Sequence, residues 1–360
     1  MNLLIKDVEN VLKRMEILHK EKFYSIYLKK NKNLMFFKST ANPEIVDKKE
    51  KLKQNQERVE KKIFDELVII DQFNIPLIGM KGCFLKKKYY NKETRSFSDI
   101  DILVNSCNVY ELYRNLKNIG YHIEYKTMYD NPLFNMYVFP QKYMDNTQTL
   151  MLVNPQKNIS IDIHCNLNIT NAHFVKSDTK FDTDVFFRNS IPFENFNNIR
   201  VLDIHDDLCV LFRHLLKHHV FYGKTQTGLH TSIQHVLDIA MIINSVNFDA
   251  DLLLEKAVKY NIIPETIFCL NLYNKIFLSQ KSIDLSPYLS VLRQLTLPKW
   301  APILMASLNM KIEDLLIGDF REYFPKLQKA VEKSQSLPNR TLDWIVQALF
   351  ISLNISRFLK

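Results

Sequence analysis

The stretch from Gly82 to Val104, GCFLKKKYYNKETRSFSDIDILV, decides the reading of this chain. It ends in Asp99-Ile100-Asp101, two carboxylates two residues apart in an apolar segment. Side chains on a β-strand alternate with a period of two, so both carboxylates face the same side. Two like charges on a half-buried strand repel and are costly to desolvate. A divalent cation removes that cost. A solvated pair on an exposed strand is the plain alternative, and the surroundings of the motif weigh against it.

Upstream, Ile75-Pro76-Leu77-Ile78-Gly79-Met80-Lys81-Gly82 reads as a short buried strand entering a glycine turn. The chain has only six glycines, and Gly79 and Gly82 are two of them. Glycine between a strand and a helix lets backbone N–H groups approach a phosphate closely. Arg95, between turn and strand, is within sequence reach of the same phosphate. Downstream, Ile159-Ser160-Ile161-Asp162-Ile163-His164 alternates like a second strand. Paired beside the first, it presents Asp162 as a third carboxylate, with His164 on the same face. Three converging carboxylates make a hard oxygen site suited to Mg²⁺ or Mn²⁺.

A glycine turn, a DxD strand and a distant strand Asp resemble the polymerase-β-like nucleotidyltransferase superfamily. Within it, the chain resembles a poorly characterised bacterial family. That family has a Lys-Gly turn, an Arg-x-x-x-Asp-x-Asp segment and an Asp-or-Glu-x-His strand. The matching residues are Lys81-Gly82, Arg95 to Asp101, Gly120-Tyr121, and Ile161 to His164. The helical stretch from Asp207-Leu208 through His214 and His218 matches too, as does Leu237-Asp238-Ile239-Ala240. The resemblance spans roughly residues 65–245.

It implies an NTP donor, with ATP first, and Mg²⁺ or Mn²⁺ held by Asp99, Asp101 and Asp162. It also implies phosphate contacts from Lys81, Gly82, Cys83 and Arg95, and an acceptor hydroxyl on a small molecule, peptide or protein. Asp162 stands nearest the nucleophile. The superfamily has Gly-Ser at the turn where this chain has Gly82-Cys83. A thiol donates more weakly than a hydroxyl, and Lys81 supplies a compensating charge. His164, His214, His218 and Asp238 are the acceptor-site candidates. His164 is equally readable as a structural histidine or as a group orienting a carboxylate. His214 and His218, at i and i+4, have zinc-compatible spacing, but no HExxH glutamate or third ligand accompanies them. Asp238 sits in the apolar segment IQHVLDIAMII and requires a partner, for which Arg213 or a nearby His is the candidate.

The fold expected is α+β. A small mixed sheet over residues 75–200 forms the nucleotidyltransferase core, with N-terminal helices over 1–74 and a helical C-terminal subdomain over 201–360. The core strands are expected at 76–80, 99–104, 121–126, 134–139, 148–153 and 159–164, with a helix near 107–118 closed by Gly120. Asp203 reads as an N-cap. Trp300 and Trp344 read as core contacts.

Composition sets further bounds. Hydrophobic residues make up 46% and charged residues 24%, as in globular chains. No apolar run approaches the ~20 residues of a membrane span. The N-terminus lacks a signal-peptide pattern, and five scattered cysteines form no CxxC pair, so a reduced, cytoplasmic chain is expected. Net charge is +9, and residues 1–90 carry 20 Lys plus Arg against 12 Asp plus Glu. These charges alternate, which fits solvated helix faces better than a nucleic-acid surface. Lys86-Lys87-Lys88 follow the turn and read equally as phosphate-facing or as an exposed helix face. Two other readings stand beside the transferase. One is a catalytically silent binding or regulatory protein on the same fold. The other is a helical nucleic-acid binder, with steep salt dependence indifferent to the aspartates.

Overall fold

A computed structural model describes residues 4, 6–11, 43–90, 95–123, 149–168, 180–216, 233–292 and 294. Its first half runs α1 (Pro43–Asp71), β1 (Leu77–Met80), α2 (Gly82–Tyr89), β2 (Asp99–Val104), a 3-10 turn (Ser106–Asn108), α3 (Val109–Asn118) and β3 (His122–Ile123). It continues through β4 (Thr149–Asn154), β5 (Ile159–His164), α4 (Thr183–Asn189), β6 (Ile191–Pro192) and β7 (Ile199–Val201). Helices α5 (Ile204–Leu216), α6 (Ile233–Ile243), α7 (Ala250–Lys259), α8 (Ile263–Ile276) and α9 (Ser286–Leu292) follow.

The expected α+β architecture is present. Among the described residues one sheet has the order β3-β4-β5-β2-β1-β7-β6. β2 is parallel to β5 and β1 to β7, and the other neighbours are antiparallel. The strands expected at 99–104 and 159–164 lie at those positions. The helix after β2 begins at Val109, behind the 3-10 turn, and Gly120 follows it with φ +95°. β6 and β7 went unread because two and three residues are too short to display alternation. The strand expected at 134–139 lies outside the described residues. So do His218, Trp300 and Trp344, and most of residues 1–42 of the expected N-terminal helical region.

Alternation gives the sheet two unlike faces. On one, Ile100, Ile102, Val104, Ile161 and Ile163 are buried against Ile63, Leu67 and Ile70 of α1 and Leu112 and Leu116 of α3. On the other, Ile78, Met80 and Leu103 belong to a second core built from α5 to α9. Leu4, Val8 and Val11 join this second core, and Asp7 accepts hydrogen bonds from Ser279 N and Oγ. The N-terminal residues described thus pack on the C-terminal helices.

Buried ion pairs tie the segment before β2 to α6 and α5 to α8. Arg95, 4% exposed, donates from Nε and Nη2 to the two carboxylate oxygens of Asp238 on α6, both at 2.7 Å. Tyr90 Oη and Gln234 Nε2 donate to the same carboxylate, at 2.5 and 3.1 Å. The partner of Asp238 is therefore Arg95, not Arg213. Arg213 Nη1 lies 2.5 Å from Glu265 Oε1 on α8. Burial disfavours the Asp238 anion, but Arg95 outweighs it and holds this carboxyl below the ordinary range. For Glu265 burial outweighs Arg213 and pushes the carboxyl from 4.5 up to about 7.

Removing one partner of a buried pair strands the other charge, at a cost of roughly 3–5 kcal/mol. Asp238→Asn is expected to lower the urea midpoint accordingly, with little change in slope. Glu265 makes a prediction of opposite kind. Its pKa is raised in the folded state, so its contribution is complete below pH 4.5 and is lost as the pH climbs toward about 7. The loss is on the order of 3 kcal/mol. Glu265→Gln should flatten the stability profile across that interval, as chemical denaturation at a series of pH values would record.

Candidate functional site

The site begins where β1 runs out. Lys81 has φ 51° and ψ −152°, a region that glycine alone enters easily. Gly82 follows with φ +39° and opens α2. The turn is held from below by Phe84: a Cβ on Gly79 would stand 2.2 Å from its ring. Only a residue without a side chain lets Phe84 pack onto the β1 backbone. From above, Arg95 Nη1 donates to Gly82 O at 2.8 Å. A strained lysine persists here because both sides of the turn are fixed.

Beside this turn the parallel register sets Asp101 directly opposite Asp162. Adjacent strands are ~4.8 Å apart, so facing carboxylates meet. Asp99 is two residues along the same strand, ~6–7 Å away. Among the described residues the convergent ligand set is Asp101, Asp162 and His164, whose ligand atoms all lie within 4.8 Å of one another. Asp99 is on the same face, one step outside that set. His164 replaces it there, with Nε2 3.1 Å from Asp101 Oδ1.

Lys81 Nζ is 2.6 Å from the same oxygen. Asp101 is 6% exposed. Its burial opposes ionisation, but Lys81 and His164 together hold the carboxyl well below the ordinary range. An ionised, buried carboxylate beside a second carboxylate and an imidazole fits a divalent cation, and the nitrogen donor extends that fit from Mg²⁺ to Mn²⁺.

Other expected residues fall differently. Arg95 gives its guanidinium to Asp238 and Gly82 O, and so braces the turn. The Cys83 side chain is in the core beneath the sheet, where burial pushes its thiol pKa up. Only the backbone of Cys83 is left to meet a ligand. The Asp238 side chain is fully buried and bonded to Arg95, Tyr90 and Gln234. The ring of His214 stands 4.8 Å from that of His235, edge to face, between α5 and α6. Lys86 and Lys87 pair with Glu60 and Glu194. Lys88 pairs with Asp207 and donates to Leu202 O. The lysine run thus ties α2 to its neighbours. Sequence reasoning missed the Arg95–Asp238 pair, which joins segments 143 residues apart and leaves no local pattern.

Among the described residues no helix is long and apolar enough to cross a membrane. No curated protein matches the chain. Among solved structures, the crystal structure of JHP933 from Helicobacter pylori is similar at 12% identity and a TM-score of 0.29, covering 79% of this chain and 95% of that one. Residues 40–277 match the family described as uncharacterised nucleotidyltransferase. That span contains every strand of the sheet, the Lys81-Gly82 turn and the Asp101, Asp162 and His164 cluster, and the chain belongs to this family of uncharacterised nucleotidyltransferases.

Proposed function

We propose that the chain transfers a nucleoside monophosphate from an NTP, with ATP the first donor to test, to an acceptor hydroxyl, releasing pyrophosphate. The observation that carries this reading is the convergence of Asp101, Asp162 and His164 beside the strained Lys81-Gly82 turn. Asp101, Asp162 and His164 would hold Mg²⁺ or Mn²⁺, and Asp99, one step along the strand, would serve a second ion. Such cations neutralise the charge that grows during in-line displacement at phosphorus.

The chain's own groups have separate tasks in this reading. Backbone N–H groups after Gly82 cradle the phosphates. Lys81 pairs with Asp101 when no cation is bound and turns toward the triphosphate when one is. Asp162 receives the acceptor proton.

The test is thermal stability with each of the four NTPs, with and without Mg²⁺ or Mn²⁺, followed by a pyrophosphate-release assay. A metal-dependent rise with an NTP is expected by linkage. Asp101→Asn should abolish it, while Asp99→Asn should weaken it less. No rise with any NTP at saturating metal would contradict the reading.

Lys81 offers a second prediction. Lys81→Gly and Lys81→Met both remove the ammonium and should depress turnover about equally. Glycine normally destabilises relative to methionine. At this backbone geometry the order should invert, with the glycine variant more stable by roughly 1–3 kcal/mol. Denaturant melts of the two variants decide it, and a more stable methionine variant would contradict the strain assignment.

A further inference from the structure

One carboxylate is tied to both ends of α2. At the start of the helix, Arg95 Nη1 donates to Gly82 O at 2.8 Å, while Nε and Nη2 hold the two oxygens of Asp238. Just past its end, the C-cap residue Tyr90 donates from Oη to Asp238 Oδ1. Gln234, one turn before Asp238 on α6, places Nε2 3.1 Å from both Tyr90 Oη and Asp238 Oδ1. Tyr90, Arg95, Gln234 and Asp238 are all buried. A guanidinium is a rigid plane, so its direction is set once two of its nitrogens are placed. Asp238 places Nε and Nη2, and the remaining Nη1 is thereby aimed at Gly82 O.

The carbonyl oxygen and the following N–H of a trans peptide point in opposite directions. Among the described residues no peptide bond is cis. Holding Gly82 O therefore also fixes the Cys83 N–H, which points away from the guanidinium. Leu85 N bonds to Lys81 O and closes the first turn of α2, so the N–H groups of Gly82, Cys83 and Phe84 stand ahead of the helical ladder. Lys81 at the N-cap has no side-chain acceptor to offer them. The turn lies against the candidate cation site. Lys81 Nζ is 2.6 Å from Asp101 Oδ1, and a Cβ on Gly82 would stand 3.4 Å from Asp99 O.

We propose that Asp238 is a positioning residue for the NTP: acting through Arg95, it aims the N–H groups at the start of α2 toward the triphosphate. The proposal rests on the transferase reading above. It gives Arg95 a role whose sign can be measured. An arginine that touches phosphate itself binds nucleotide better once Asp238 releases it. An arginine that braces the turn binds nucleotide worse, because Gly82 O and the Cys83 N–H lose their fixed direction.

Two variants of the full chain test this, each in two titrations. Arg95→Lys keeps a cation beside Asp238 but gives up the planar fork that also holds Gly82 O. Asp238→Asn keeps the side-chain shape and removes the anion that directs the guanidinium. Mn²⁺ alone reports on Asp101, Asp162 and His164. The non-hydrolysable α,β-methylene analogue of ATP with Mg²⁺, followed by calorimetry, reports on the turn. Both variants should bind the analogue about ten- to thirtyfold more weakly, with Mn²⁺ affinity within about twofold of wild type. A merely structural role lowers the number of folded sites in both titrations alike and does not produce this split. Should Asp238→Asn fail to fold, Arg95→Lys decides alone. Analogue affinity unchanged in Arg95→Lys, tighter binding in either variant, or parallel loss of Mn²⁺ and analogue affinity would overturn the proposal. Failure of the wild type to bind the analogue would instead count against the transferase reading, so the two failures are separable.

Discussion

The register of β2 against β5 is the constraint on which both core and site depend. Strand side chains alternate with a period of two, so a slip of one residue exchanges the two faces. In the observed register Ile100, Ile102, Ile161 and Ile163 are all buried against α1 and α3, and Asp101 stands opposite Asp162. A slip would turn carboxylates into an apolar layer and isoleucines onto the face that carries Asp101 and Asp162. The cost of burying those charges makes the apolar face the guardian of the polar one. Selection of one register by hydrophobic burial is thus what brings the candidate cation ligands Asp101 and Asp162 together.

The second requirement is a fixed turn. Lys81 occupies a backbone region costly for any residue with a side chain. Phe84 packs on Gly79 beneath it, and Arg95 holds Gly82 O above it. Arg95 is itself clamped by Asp238, so the geometry of the turn is coupled to α6 and through it to the helical core. A buried bidentate pair carries direction as well as charge. Its placement shows where the guanidinium of an arginine close in sequence to the DxD strand is engaged: on Asp238 and Gly82 O.

Much of the fold could be read from the chain because alternation is a local signal. Asp99 to Val104 and Ile159 to His164 display it without interruption, and both form the strands expected. Lys81-Gly82 could be read as a turn from its glycine. Alternation on both strands gave the expectation that Asp162 and His164 join the DxD face, but pairing register is not local, so that Asp101 rather than Asp99 stands opposite Asp162 was not legible. Cys83 shows the same limit: its side chain entered the core, a choice made by the helix that Gly82 opens. β6 and β7 were too short to show a period, and β7 is held in the sheet by pairing with β1.

The most direct test of this account is pulsed electron paramagnetic resonance on the Mn²⁺-loaded chain. Two carboxylates and an imidazole around one ion predict nitrogen modulation from a single histidine, and labelling histidine with nitrogen-15 should alter it. The modulation should vanish in His164→Gln while Mn²⁺ still binds, and binding itself should fail in Asp101→Asn. Tight Mn²⁺ binding without histidine nitrogen coupling, or coupling that survives His164→Gln, would contradict the arrangement of Asp101, Asp162 and His164 as one cation site.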